Sequence, residues 1–387
     1  MNNLIVDDQL FQWMKDIRAK IHRHPELAFT EFKTSSLIAQ SLTELGIDYK
    51  TGIAKTGIVG RLIINKDYPT IALRADMDAL PINEETELPF ASVTCGIMHA
   101  CGHDGHVAIL LGAAAILKKN PPKCNVLFIF QPAEEGDGGA LPMIEQGVLN
   151  GVDAIFGGHI DTRFQTGVIA IKQGVNSAST DTFEIEIKGR GGHCARPHET
   201  ADVILIASQL VISLQSIISR EIDPLQSAVI SVGVFNAGDV HNAIAQKAVL
   251  KGSIRTTDPK IREKIKSRMN SHIKSLSNLY DIEISIRISE GYPPVINHDK
   301  AYEYARHTAI YMFGEKGYIE IKYPSLGGED FAYFLEKVTG CFVRFGAQKS
   351  DIGYVDGHCG RFDFDEEVLR VGAMYFSELA HNYVNAL

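Results

Sequence analysis

Four short apolar runs, Gly57–Ile64, Thr70–Ala75, Asn125–Phe130 and Ala154–Phe156, constrain this chain more than any other feature. Each has the length and character of a strand buried on both faces. Between two of them lies His106–Lys119, rich in Ala, Leu and Ile, which reads as a helix. Lys118 and Lys119 suit its negative C-terminal end, and Pro121-Pro122 bars continuation. Two helices precede the strands: Asp8–Arg23, stopping near His24-Pro25, and Glu31–Leu45, closed by Gly46. Trp13 falls on the first and reads as core. Strands alternating with helices predict an α/β fold with an open, largely parallel sheet covered on both faces.

The pattern changes near Ser177. Phe183–Ile187 alternates apolar and acidic residues, Ala201–Ser219 is a long apolar-periodic helix, and Ala228–Phe235 and Lys247–Arg255 are strands. Pro259–Ser277 is a helix, and Ile282–Ile288 places four isoleucines on one face. The order β-α-β-β-α-β is that of a ferredoxin-like unit. Helix–strand alternation resumes after Gly291-Tyr292-Pro293-Pro294. The expected organisation is a discontinuous α/β domain, residues 1–177 and 291–387, interrupted by a ferredoxin-like insertion, residues 178–290. The 387 residues exceed the ~250–300 at which one core stops growing, so two domains are expected.

The net charge of −9 argues against a nucleic-acid or anionic-membrane partner. The N-terminal residues carry no secretory pattern, and the apolar stretches read as interrupted short of the ~20 residues a membrane span needs. Six cysteines scattered along a long chain form a pattern of free thiols, and the expected location is cytoplasmic.

Chemistry concentrates in His99-Ala100-Cys101-Gly102-His103-Asp104-Gly105-His106. Thiolate and imidazole suit zinc and the softer first-row metals. Cys101 and His103, two apart, face one side if the backbone is extended. A metal needs further ligands, and other strand ends supply candidates. Glu134-Glu135 follows Asn125–Phe130, His159 follows Ala154–Phe156, and Asp76-Met77-Asp78 follows Thr70–Ala75. Open α/β sheets build ligand sites at such strand ends. In a metallohydrolase, one glutamate of an adjacent pair can hold metal while the other moves protons. Asp76 and Asp78 suit either ligand orientation or a structural turn. His99 and His106 read as hydrogen-bonded packing more than as site support, His22 and His24 as helix-end residues, and Glu329-Asp330 as a helix start.

Four segments, Arg74–Pro81, Met98–His106, Gln131–Gly136 and Ser325–Phe331, closely resemble the M20 metallopeptidase family. The match is to its amidohydrolase branch of hippurate hydrolases, aminoacylases and indole-acetyl-amino-acid hydrolases. The resemblance implies a metal-binding α/β catalytic domain with a ferredoxin-like lid that dimerises. It implies metal ligands at Cys101, His103, Glu135, His159 and His358, holding one or two divalent ions of zinc, manganese, nickel or cobalt. Glu134 matches the general base and His193 the lid histidine that assists at the scissile carbonyl, and recurrence of Glu329-Asp330 in the family implies site support as the alternative to a helix start. Asn242 and Arg255 match residues that hold the substrate carboxylate. The implied substrate is a small N-acyl amino acid. The chain departs from the family at Gly360, where a proline is usual, and in the lid loop Asn242-Ala243-Ile244-Ala245. These departures bear on substrate preference. A dipeptidase or aminopeptidase of the same family and a non-catalytic metal- or ligand-binding protein are the alternatives.

Overall fold

The computed structural model describes residues 4–136 and 138–383. Within them the chain divides into two compact units. One comprises the chain up to Asn176, Ile296–Tyr323 and the chain from Glu329 on; the other comprises Ser177–Val295 and Pro324–Gly328.

The first unit opens with α1 (Asp8–Arg23) and α2 (Phe32–Glu44), followed by β1 (Asp48–Ile53), β2 (Gly57–Leu62) and β3 (Thr70–Asp76). Then come α3 (His103–Lys119), β4 (Asn125–Gln131), the short α4 (Ala140–Glu145), β5 (Ala154–Gln165) and β6 (Ile169–Ile171). Asp7 caps α1, its carboxylate accepting from Leu10 N–H at 2.8 Å. The buried face of α1 repeats at helical spacing through Phe11, Met14, Ile17, Arg18, Ile21 and His22. Almost all of α3 is buried, as a helix apolar all round its axis must be. A Cβ at Gly112 of α3 would collide with Met14, so that glycine permits close approach to α1.

The second unit carries β7 (Ser179–Lys188), α5 (Val203–Ser216), β8 (Ala228–Ala237), β9 (Lys247–Thr256), α6 (Pro259–Tyr280) and β10 (Glu283–Glu290). Its antiparallel sheet runs β8-β9-β7-β10. Phe183, Ile185 and Ile187 point into a core shared with Ile206, Leu210 and Leu214 of α5 and Ile265 and Met269 of α6. A π-turn, Ile217–Glu221, extends α5. The stretch Val203–Glu221 is long and apolar enough to cross a membrane by length and composition. The stretch is a core helix on one face, while Ile204, Leu205 and Ile212 are exposed on the other.

The remaining elements are α7 (Asp299–Phe313), β11 (Tyr318–Glu320), α8 (Ala332–Leu335), β12 (Gly340–Gln348) and α9 (Glu367–Asn382), all in the first unit. Its sheet has the order β1-β2-β4-β3-β5-β12-β6-β11. The centre, β4-β3-β5-β12, is parallel, but β1 with β2, β2 with β4 and β6 with β12 pair antiparallel. The sheet is therefore mixed: β1 and β2 are joined by a turn too short for a parallel crossover.

Two local expectations change. The helix expected from His106 begins at His103. Gly102 precedes it at φ 87°, a left-handed conformation that glycine adopts without penalty. Cys101 and His103 are thus brought together by a turn into a helix and not by extended backbone. The run Ala154–Phe156 continues as β5 to Gln165 because β12 pairs alongside it, with Arg344 opposite His159. His159 therefore lies within a strand.

Candidate metal centre

The parallel order of β4, β3 and β5 puts their carboxyl ends side by side, and α3 starts at the same end. His103, fully buried in the first turn of α3, points Nδ1 at the backbone oxygen of Asp78, 2.9 Å away. That contact places a proton on Nδ1 and turns Nε2 into the site. Nε2 is buried without a hydrogen-bond partner and lies 3.7 Å from Glu135 Oε1, another buried oxygen without one. In a dry pocket these two atoms are paired only by positive charge between them, either a proton on Nε2 or a bound cation.

Glu134 and Glu135 leave β4 on a constrained turn. Ala133 has φ 57°, a left-handed conformation that costs a non-glycine residue on the order of 1–2 kcal/mol. The Glu134 and Glu135 amides each donate to a carboxylate oxygen of Asp78 at 3.0 Å. Asp78 thus fixes both glutamates and, through its carbonyl, the ring of His103. Of its two expected roles, ligand orientation is the one its contacts serve.

His159 donates Nδ1–H to the backbone oxygen of Ile160 at 2.6 Å, which leaves Nε2 3.2 Å from Cys101 Sγ. The neighbouring Ile160 N–H donates to His106 Nε2 at 2.8 Å, and His106 Nδ1 donates to Asp76 at 2.5 Å. Asp76 in turn takes Arg74 Nη1 at 2.6 Å. His106 is therefore one link in a buried chain from Arg74 to the backbone beside His159, and does more than pack. Arg74 also reaches Asp330 at 2.9 Å and Glu329 at 3.1 Å, so this acidic pair supports the site and is not merely a helix start.

His358, half exposed on the loop before α9, sets Nε2 3.2 Å from Glu135 Oε2. Donor atoms of Cys101, Glu135 and His358 lie within 4.8 Å of one another, as do those of Cys101, His103 and His159. The five residues expected as ligands thus converge, with Cys101 common to both groups. The set of one thiol, three imidazoles and one carboxylate, with buried His103 Nε2 and Glu135 Oε1 facing each other without hydrogen-bond partners, fits a divalent cation. Glu134 stands apart in its electrostatics. Its carboxylate lies within 4.8 Å of Glu329 and Asp330, and all three are buried. Burial, then Glu329, Glu135 and Asp330, holds the Glu134 carboxyl well above the ordinary range. Burial opposes charge on His103, but Asp76, Asp78 and Cys101 outweigh it and raise its pKa. Burial, then His106 and Arg344, pushes His159 the other way.

Sequence reasoning passed over three residues here. Glu31 and Arg74 are fully buried charges, and Arg18 on α1 binds Asp104, the residue after His103, at 3.3 Å. His22, one turn along, touches Asp104 at 2.9 Å and Glu84 at 3.2 Å. It is more than a helix end: it pins the start of α3. Burial opposes its charge, but Asp104 and Glu84 lift its pKa to about 9. A raised histidine pKa stabilises the fold fully below about 6.5, and the stabilisation is lost as pH rises through about 9. The pH dependence of the unfolding free energy of His22→Gln is therefore expected to lack a fall that wild type shows between about pH 7 and 9.5, on the order of 3 kcal/mol at most. Parallel curves would exclude a charged His22.

In the second unit, His193 pairs in register with Ala243, and Cys194 N–H donates to the Asn242 carbonyl at 3.4 Å, so His193 and the Asn242 loop are neighbours. His193 and Asn242 are exposed, and Arg255, half-buried on β9, lies opposite Thr180 and Val229.

The profile of the family described as Peptidase family M20/M25/M40 matches residues 72–382. Thermostable carboxypeptidase 1 of Saccharolobus solfataricus is 39% identical over 97% of this chain and 97% of its own length. Hippurate hydrolase of Campylobacter jejuni is 40% identical over 95% of this chain and 96% of its own. The crystal structure of the Bacillus subtilis YXEP protein, described as a dinuclear metal-binding peptidase of the M20 family, superposes with a TM-score of 0.87 at 36% identity, covering 98% of this chain and all of that one. Extended matches of this kind, over a centre with this donor set, place the chain in the M20/M25/M40 peptidase family.

Proposed function

We propose that this chain is a metal-dependent amidohydrolase that cleaves N-acyl amino acids to a carboxylic acid and a free amino acid. The observation that carries the reading is the glutamate pair: Glu135 joins Cys101 and His358, and Glu134, which also borders His103 and Glu135, is the one set against Glu329 and Asp330. Cys101, His103, Glu135, His159 and His358 would hold one or two divalent ions. The thiol favours zinc, and the imidazoles and carboxylate also admit manganese, nickel or cobalt. Bound there, the metal supplies Lewis acidity toward the amide carbonyl and the attacking water. Glu134 takes a proton from that water as the carbon–oxygen bond forms. It returns the proton to the amide nitrogen as the carbon–nitrogen bond breaks, so the amino acid leaves as a neutral amine.

The substrate class follows from the relatives. Hippurate is an N-acylated glycine, and a carboxypeptidase also cleaves an amide whose nitrogen belongs to an amino acid with a free carboxylate. The two differ on the acyl side. A dipeptidase or aminopeptidase would add an anionic group for a free α-amine. The second unit, whose strand order suits a ferredoxin-like fold, is proposed as the lid, with residues 178–290 inserted between the parts of a catalytic domain at 1–177 and 291–387. His193 would assist at the carbonyl, and Asn242 and Arg255 would bind the substrate carboxylate. The edge strand β8 and the exposed apolar face of α5 support a homodimer formed through this unit. Six free cysteines suit the cytoplasm.

The test is release of free amine from N-acetyl amino acids, hippurate and dipeptides with zinc, manganese, cobalt or nickel. Release from the N-acyl compounds supports the reading, and release from dipeptides alone replaces it with a peptidase. No release at all favours a binding protein. Cys101→Ala removes the residue shared by both donor groups. It is expected to lower bound metal and turnover together, by about tenfold or more. Full metal occupancy in that variant would misplace the centre.

A further inference from the structure

Glu31, at the start of α2, has a fully buried side chain far in sequence from the groups it binds. Its Oε1 accepts from Ala133 N–H at 2.9 Å, and its Oε2 accepts from the Thr56 hydroxyl at 2.5 Å. Ala133 is the left-handed residue immediately before Glu134. Its carbonyl accepts from Gly139 N–H at 3.0 Å, and the next two amides go to Asp78.

We propose that Glu31 is a positioning residue for Glu134: its carboxylate locks the left-handed turn at Ala133 from which the base projects. This rests on reading Glu134 as the base. A strained backbone conformation persists only where its surroundings over-determine it. Asp78 cannot supply that lock alone, because it grips the turn only from Glu134 onward. Glu31 grips the strained residue itself. Thr56 sits just before β2 and orients the carboxylate, so the start of α2, the β1–β2 turn and the base are joined through one side chain. Among the described residues, the Glu31 carboxylate is hydrogen-bonded to Ala133, Thr56 and its own backbone N–H and to none of the five candidate ligands. Its removal is therefore expected to misplace the base without emptying the metal centre.

The experiment uses the full chain loaded with metal, with kcat, KM, metal content and exchange of the 15N-labelled Ala133 amide as readouts. Glu31→Leu keeps the bulk and orphans both donors. It is expected to lower kcat by about 10–100-fold, with KM and metal content within about twofold and the Ala133 amide exchanging about 100-fold faster. Glu31→Gln offers a carbonyl to Ala133 and an N–H to Thr56, and is expected to restore kcat to within about threefold of wild type. Thr56→Val, a milder variant should Glu31→Leu not fold, is expected to lower kcat about 2–5-fold at constant KM. Unchanged kcat and amide protection in Glu31→Leu or Thr56→Val would overturn the proposal. So would Glu31→Gln as impaired as Glu31→Leu, which would indicate a charge requirement instead. If wild type hydrolyses no N-acyl amino acid, the functional reading fails separately, and amide exchange alone decides whether Glu31 holds the turn.

Discussion

Glu134→Gln is expected to lower kcat by about 10²–10⁴-fold on any N-acyl amino acid the chain hydrolyses, with bound metal per chain unchanged. The amide cannot accept the water's proton, yet it keeps the volume of the buried carboxyl and its backbone bond to Asp78 at 3.0 Å. KM is expected to hold within a few-fold, because the lost interaction belongs to the transition state. Loss of metal in step with activity would instead make Glu134 a ligand, an option its proximity to His103 and Glu135 leaves open to measurement. A second readout needs no substrate. Burial, then Glu329, Glu135 and Asp330, raises the Glu134 pKa in the metal-free protein. Between the unfolded carboxyl pKa of about 4.5 and that raised value the folded state binds more protons, so stability falls as pH rises. Glu134→Gln removes this slope. The metal-free variant is expected to be more stable than wild type at neutral pH, and a less stable variant would contradict the crowding of carboxylates around Glu134.

What was legible in the sequence was whatever local pattern encodes. Short apolar runs marked the central strands, and polar residues at their ends singled out Glu134-Glu135 and His159. His358 came only through resemblance to the family, since nothing near it is periodic. Glu31 and Arg74 were invisible for a physical reason. Each is a charged residue whose meaning lies in a partner remote in sequence: Glu31 with Ala133, Arg74 with Asp330. Arg74 even interrupts the run that marked its strand. Gly102 shows the same limit at short range. Its left-handed backbone decides how Cys101 and His103 meet, and spacing alone suggested extended chain.

Arg74→Met is expected to destabilise the metal-free first unit by about 3–5 kcal/mol, a large share of the roughly 5–15 kcal/mol that holds a typical protein folded. The guanidinium is fully buried, with Nη1 on Asp76 at 2.6 Å, Nη2 on Asp330 at 2.9 Å and Glu329 at 3.1 Å, and Nε on the Gln131 side chain at 2.8 Å. Methionine fills much of the space and supplies none of the charge. Asp76, Glu329 and Asp330 then repel one another where water cannot screen them. Arg74→Lys keeps the charge but loses the planar fork, so an intermediate cost is expected. The double variant Arg74→Met with Asp330→Asn removes one of the stranded acids. It is expected to cost less than the sum of the two single changes, because the residues are in direct contact. Urea unfolding followed on Trp13, in the first unit, reads the cost. Arg74→Met within about 1 kcal/mol of wild type would place that pair among the weakly contributing ones. Loss in Arg74→Met reaches the metal centre as well, since Asp76 carries the link through His106 to the Ile160 amide beside His159. Metal affinity is therefore expected to fall even under conditions where the variant stays folded, by about 10–100-fold. A folded Arg74→Met with wild-type metal affinity would confine Arg74 to stability alone.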